Sequence, residues 1–357
     1  MKIWFDVLTP KQFLLFHSLK NEFEKRGVDV WVTSRDYEQV LPLIRMLNAD
    51  VEIVGKFGGG TMKGKLQASI LRSKKLLESV SREKPDAAMS GGSPESARIA
   101  YGLTFPHFCI SDSPHSPVFP LCLPITEILF SSWVIRFEEW RKHGVARSHV
   151  RYYKALDPVF WLTDASPKRS VLRDLRLREG QYVLVRVPEV LASYLLGVEN
   201  AGNSKTMNFI QELPSIFPEH KIVIMTRYSG QAKIFRRLDN RILLVDRVVD
   251  GTNLVRFASL FIGGGGTMTQ EAALLGVPAI SIFAGPNLAV LEYLRRKGLV
   301  THFSDLDSAL KYLRRTSTKI GGLAKKQRKL CRSLWRIMND PKPQIATDVI
   351  SWMNRSS

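Results

Sequence analysis

A short apolar run, Leu260-Phe261-Ile262, passes straight into four glycines, Gly263 to Gly266, and then into Thr267-Met268-Thr269-Gln270-Glu271-Ala272-Ala273-Leu274-Leu275-Gly276. A strand, a turn without side chains and a helix in that order leave the first N–H groups of the helix facing the turn. The helix dipole adds roughly half a positive charge there. Such a turn binds anions, with a phosphate or diphosphate as its natural guest. Glu271 stands where a carboxylate accepts from a sugar hydroxyl. The same glycines also suit close packing of a helix on its strand, so two readings of the turn stand side by side.

Strands and helices alternate along almost the whole chain. Lys2 to Val7, Val28 to Thr33, Val51 to Val54, Ala87 to Ser90, His107 to Ile110 and Glu127 to Ser131 are expected as strands, with helices near 10–26, 36–47, 65–82, 94–102 and 134–143. A second series follows the polar stretch Thr163 to Lys168, with strands at Tyr182 to Val187, Ile222 to Thr226, Ile242 to Val245, Leu260 to Ile262 and Ala279 to Phe283. The fold class is therefore α/β, with two doubly wound parallel-sheet domains at 1–165 and 166–340. A last helix in 341–357 is expected to cross back to the first domain. The 357 residues exceed what one core usually organises, in keeping with two domains.

In open α/β sheets ligands bind outside the carboxyl ends of the strands. Applied to the first half, this rule selects Thr9, Pro10 and Lys11, then Gly58 to Met62, Gly91-Gly92-Ser93, and Asp112-Ser113-Pro114-His115. In the second half it selects Arg186, Arg227, Arg247 to Gly251, the glycine turn and Gly285-Pro286-Asn287. Thr9-Pro10 also reads as a plain helix cap, and so does Asn287. Asp112 with Pro114 also reads as a surface turn, and Arg186 and Arg227 as salt-bridge partners. Gly59 to Lys65 fits the start of a nucleotide-hydrolase phosphate loop, but Leu66 stands where a magnesium-binding hydroxyl belongs. Gly-Gly-Gly-Thr-Met occurs twice, at Gly58 to Met62 and Gly264 to Met268, which suggests an anion-friendly loop in each half.

The net charge of +19 favours an anionic partner: nucleic acid, an acidic membrane face or a phosphorylated substrate. From Lys311 to Arg336 every charged residue is basic, and Leu323, Leu330, Leu334, Trp335, Ile337 and Met338 are interleaved. That segment, 311–338, is either a basic amphipathic helix lying peripherally on an anionic membrane or a solvated face packed on its own domain. No run is apolar enough to span a bilayer and the first residues lack a signal-peptide pattern, so a cytoplasmic protein, peripheral at the inner membrane face, is expected. Cys109, Cys122 and Cys331 form no C-x-x-C pair and read as core thiols. No nucleic-acid module is recognisable, which disfavours a non-catalytic nucleic-acid-binding protein despite the charge.

The order Asp6-x-x-Thr9-Pro10-Lys11, Asp112-x-x-His115, Arg186, Arg227, Asp250-Gly251-x-Asn253-Leu254 and Gly264 to Pro278 resembles a family of predicted glycosyltransferases over about residues 1 to 340. That family is similar to the GT-B superfamily, particularly the UDP-N-acetylglucosamine 2-epimerases and the lipid-linked N-acetylglucosaminyltransferase of peptidoglycan synthesis. The resemblance implies a nucleotide sugar, UDP-linked, as donor substrate, with no further cofactor and no metal. It places Gly265, Gly266 and Thr267 on the diphosphate and Glu271 on the ribose, with Gly264, Met268 and Thr269 beside them; by their place at strand ends Arg186 and Arg227 are candidates for binding phosphate or an acceptor anion, and Asn287 for touching the donor sugar. Thr9, Pro10, Lys11, Gly91, Gly92 and Ser93 are the acceptor-side candidates, the acceptor itself being unknown and either anionic or lipid-linked. The catalytic base is sought among Asp112, His115 and Asp6, since a histidine titrates near neutrality. Epimerases carry an Asp where this chain has Gly92 and a His where it has Arg186. C2 epimerisation, which needs groups to take and return a proton, is thus the alternative rather than the first reading.

Overall fold

Strands that are apolar on both faces call for a parallel sheet covered by helices on each side. The computed structural model describes residues 1–187, 202–226, 239–285 and 288–356. They form two compact units, one of residues 1–164 with 338–356, the other of the described residues between 165 and 337. The first series of elements is β1 (Lys2–Val7), α1 (Pro10–Glu24), β2 (Asp29–Asp36), α2 (Val40–Met46), β3 (Glu52–Lys56), α3 (Met62–Glu83), β4 (Ala87–Ser90), α4 (Pro94–Gly102), β5 (His107–Ile110), β6 (Ile128–Ser132), α5 (Phe137–Arg141), β7 (Val150–Tyr153) and α6 (Val159–Leu162).

The seven strands are all parallel, in the order β3-β2-β1-β4-β5-β6-β7. The order reverses between β1 and β4, where Ile3 pairs with Ala87 and Asp6 with Ser90. Thr9 caps α1 by accepting from the Gln12 N–H at 3.3 Å, and Pro10 stands in its first turn, where a missing N–H costs nothing. Phe16 and Phe23 of that helix pack edge-on to Phe5 at 5.0 and 5.6 Å between ring centres. Trp4 stacks on Trp31 at 5.5 Å and donates its indole N–H to Thr33 Oγ1 at 2.7 Å, which settles its buried polar atom.

The second series is α7 (Ser170–Asp174), β8 (Tyr182–Arg186), α8 (Gly202–Ile216), β9 (Lys221–Met225), β10 (Ile242–Val245), α9 (Gly251–Arg256), β11 (Leu260–Gly263), α10 (Thr267–Leu274), β12 (Ala279–Ser281), α11 (Ala289–Arg296), β13 (Thr301–His302), α12 (Leu306–Thr316) and α13 (Ile320–Trp335). The parallel order β10-β9-β8-β11-β12-β13 reverses between β8 and β11, with Gly263 paired to Arg186. Val183, Val185, Ile224, Ile262 and Ile280 of these strands share one core with Phe209 and Leu213 of α8. The final helix α14 (Lys342–Ser356) groups with the first unit, where its Lys342 ammonium donates to Phe160 O and Thr163 Oγ1 at 2.9 and 2.8 Å.

Strands β7 and β13 have no counterpart in the sequence expectation. The basic segment 311–338 is mostly two helices, and their apolar side faces inward. Leu313, Ile320, Cys331, Leu334 and Met338 are buried, and the Trp335 indole donates to Leu274 O at 2.8 Å. Much of the apolar side expected to meet a membrane is thus turned inward, with Leu323, Leu330 and Trp335 half-buried and Ile337 left exposed beside the outward basic residues. Among the described residues no helix is long and apolar enough to cross a membrane.

Candidate functional site

At the switch point of the second sheet, each glycine of the turn meets a different demand. A Cβ on Gly263 would lie 2.6 Å from the Phe261 ring. Gly265 has φ +73, and its Cβ would come within 3.0 Å of Leu291 and 3.1 Å of Phe283. Gly266, the N-cap of α10, has ordinary extended backbone, and a Cβ there would meet nothing within 4 Å. The first two glycines thus bring the chain close to its neighbours, and Gly266 borders open space. No side chain caps α10, so the Thr267 and Met268 N–H groups at its start are presented to whatever occupies that space. Thr269 is buried and Met268 half-buried.

Glu271, 3% exposed, accepts from Thr252 Oγ1 at 2.8 Å. Thr252 is in the first turn of α9, whose N-cap Asp250 accepts from the Asn253 N–H at 3.0 Å. The starts of two helices and a buried carboxylate therefore converge at one sheet edge. Arg186 ends β8 beside Gly263 and donates to Thr226 O at 2.5 Å. Gly285 approaches the Phe283 ring too closely for any side chain. Arg227 and Asn287 lie outside the described residues.

At the edge of the first sheet, Lys11 ion-pairs with both Asp112 and Asp157, the latter at 2.7 Å. Tyr153 donates its hydroxyl to Asp157 at 2.5 Å, and Ser113 Oγ donates to Asp112 at 2.7 Å. Burial opposes the charge on Lys11, but the two carboxylates prevail and hold its pKa above the usual lysine range. Burial and the Asp112 charge push the Asp157 carboxyl up, against the pull of Lys11. His115 lies on the same loop as Asp112, half-buried, and burial lowers its pKa while Asp112 works the other way. His143 donates from Nε2 to Pro114 O at 2.6 Å and fixes this loop.

Asp6 belongs elsewhere. It is fully buried, bound by both Arg72 terminal nitrogens at 2.9 and 2.5 Å, and accepts from Thr33 and Ser93 hydroxyls at 2.7 and 2.5 Å. Burial would raise its pKa, but Arg72 and the hydroxyls carry it below the ordinary value. With its oxygens committed inside the protein, Asp6 holds the switch point together and has no access to an acceptor proton. Ser93, fully buried, caps α4 and bonds Asp6. Gln12 clamps the two turns by accepting from Leu8 N–H at 2.8 Å and donating to Gly91 O at 2.9 Å. Cβ atoms on Gly91 and Gly92 would strike Gln12 and Phe119. Thr9, Pro10, Gly91, Gly92 and Ser93 are thus accounted for by capping and close packing, while Lys11 remains at the edge with a partly exposed side chain.

The two Gly-Gly-Gly-Thr-Met turns are not equivalents. Thr61 is the N-cap of α3 and accepts from the Gly64 N–H at 3.1 Å, whereas Thr267 is already inside α10. The first turn satisfies its own helix end, and only the second is left uncapped. Among the described residues no group of three His, Cys, Asp or Glu side chains is placed to hold a metal ion.

Two Rossmann-like parallel-sheet domains make this the fold of GT-B-type glycosyltransferases and UDP-GlcNAc 2-epimerases. Residues 1–340 match the family described as Protein of unknown function (DUF354), and the chain belongs to it. It is 25% identical over 328 residues to the uncharacterized protein MJ0665 of Methanocaldococcus jannaschii, covering 88% of this chain and 91% of that one. Among solved structures, MnaA of S. aureus with UDP superposes with TM-score 0.75 at 13% identity, over 99% of this chain and 97% of the other. The M. jannaschii UDP-GlcNAc 2-epimerase in complex with UDP-GlcNAc and UDP gives 0.74 at 15%, over 99% and 100%. The glycosyltransferase SsfS6 of Streptomyces sp. SF2575 with thymidine diphosphate gives 0.62 at 13%, over 98% and 99%. At these identities the likeness to solved structures is one of fold.

Proposed function

We propose that this protein is a glycosyltransferase that holds a nucleotide sugar, UDP-linked, at the start of α10 and takes its acceptor at the edge of the first sheet. The observation that carries the reading is the uncapped helix start at the half-buried Gly266, with open space beside it and the buried Glu271 carboxylate bonded to Thr252 one turn away. Helix N–H groups and Arg186 would stabilise the negative charge that gathers on a leaving diphosphate. Glu271 would accept from the ribose hydroxyls. His115, its pKa lowered by burial, is neutral near pH 7 and able to take the acceptor's proton. Fold neighbours that bind UDP, UDP-GlcNAc or thymidine diphosphate support a nucleotide as the ligand.

Thermal shift against UDP, GDP, CMP and dTDP sugars tests the donor site. One nucleotide class is expected to stabilise the wild type, and Gly266→Val and Glu271→Ala are expected to abolish most of that shift, a loss of about tenfold or more in affinity for each. Gly266→Val fills only open space, so a folded variant that keeps the full shift would place the ligand elsewhere. His115 on the Asp112 loop favours a second reading, since a half-buried imidazole is able to take and return a proton. Solvent deuterium entering C2 of UDP-N-acetylglucosamine would establish epimerisation.

A further inference from the structure

The outward side of α3 is apolar and basic at once. Met62, Leu66, Ile70 and Leu71 are 62, 62, 61 and 65% exposed, and Leu77 follows at 44%. At about 100° per residue, Met62, Leu66, Ile70 and Leu77 fall within about 80° of arc. Arg72, Leu76, Ser79 and Val80 pack into the domain on the adjoining arc, so the exposed apolar residues flank the buried face and extend it to the surface. Single exposed apolar residues are ordinary; four on one arc form a patch. Exposed Lys63, Lys74 and Lys75 and half-exposed Lys65 accompany it, and no acid occurs between Phe57 and Leu77.

Charge decides what covers this face. A second copy would bring the same lysines against these and carries the same net +19, so pairing of two such faces is opposed. A nucleic acid would meet the lysines but leave the apolar arc in water, and α3 has no aromatic side chain on which a base could stack. An anionic bilayer satisfies both parts, taking apolar side chains below its phosphates and lysines at them. Helices α12 and α13 hold a greater density of positive charge but turn most of their apolar side chains inward, so they meet only half of that requirement.

We propose that α3 is an interfacial helix which lays Met62, Leu66 and Ile70 into the boundary of an anionic lipid surface while its lysines meet the headgroup phosphates. The proposal does not depend on the donor-site reading. Full-length protein is sedimented with vesicles of phosphatidylcholine alone or mixed with phosphatidylglycerol, at low and at physiological salt. The wild type is expected to partition onto the mixed vesicles. Leu66→Glu with Ile70→Glu is expected to lower that partition by about tenfold or more, with circular dichroism and elution volume unchanged. Charge reversal at Lys325 and Lys329 on α13 is expected to cost no more than about threefold. No binding of the wild type at low salt, or full binding by the α3 variant, overturns the proposal. So does an α3 variant that converts an oligomer into a monomer, which would assign the face to a second copy.

Discussion

His107 begins β5 at 1% exposure, with Nε2 2.9 Å from Ser90 Oγ and Nδ1 2.9 Å from Thr126 Oγ1. Burial drives its pKa down to about 3, with the Asp6 charge acting weakly the other way. An unfolded chain protonates this ring near 6.5, while the folded protein resists until about 3. Between those values the unfolded state binds the extra proton, so folding stability falls as pH falls, by up to about 1.4 kcal/mol per unit from this residue. Asp6 behaves differently: its lowered pKa contributes stability above the unfolded carboxylate value, lost only as pH drops through the folded one. The two windows are largely separate. Urea unfolding at pH 7, 5.5 and 4.5 is expected to give a shallower acid slope for His107→Gln than for wild type. Burial lowers His17 and His115 as well and adds slope of the same sign, so the difference between the two proteins isolates His107. Equal slopes would mean that the ring is protonated without cost.

The glycine turn separates two roles that adjacent residues play. Gly265→Ala forces a side chain into positive φ and toward Leu291, and is expected to cost about 1–2 kcal/mol of stability. Gly266→Ala faces open space and loses only the preference of a helix start for glycine, under about 1 kcal/mol. Chemical denaturation that ranks them the other way would contradict this division. Much of the element order was readable from alternation: β1, β4, β5 and β10 fall on the expected residues because they are short apolar runs between turn signals. Strand β7 was not, since Arg151 and two tyrosines blur its pattern, and β13 is only two residues long. Missing β7 hid Asp157, which the rule of strand ends would otherwise have selected. Ion pairs such as Asp6 with Arg72 join residues 66 apart, and local patterns carry no trace of them. Nor does periodicity reveal which apolar side a helix covers: α13 turns its own inward, and α3 leaves one uncovered.

On the scale of the whole chain, the first unit is built from both ends of the sequence. Its last helix, α14, buries Ile345, Ala346 and Val349 completely and Met353 almost so, and Trp352 packs edge-on to Phe108 at 5.5 Å. Gln344 donates to Tyr152 O at 3.2 Å, and Arg26 of the turn after α1 donates to Thr347 Oγ1 at 2.7 Å. At about 1.5–3 kcal/mol per buried Ile, Val or Met side chain, the helix contributes roughly 5 kcal/mol or more. A typical domain is stable by only about 5–15 kcal/mol in total. Removing residues 338–357 would therefore take away a large share of this unit's stability and bare the apolar side of α1 and the Phe108 ring. Hydrogen exchange on the shortened protein is expected to show lost protection in α1 and in β5 to β7. Retained protection there would mean that α14 only covers a core already stable without it. A core closed by α14 is complete only once that helix has been made, so this unit is expected to finish folding after the second unit has been synthesised.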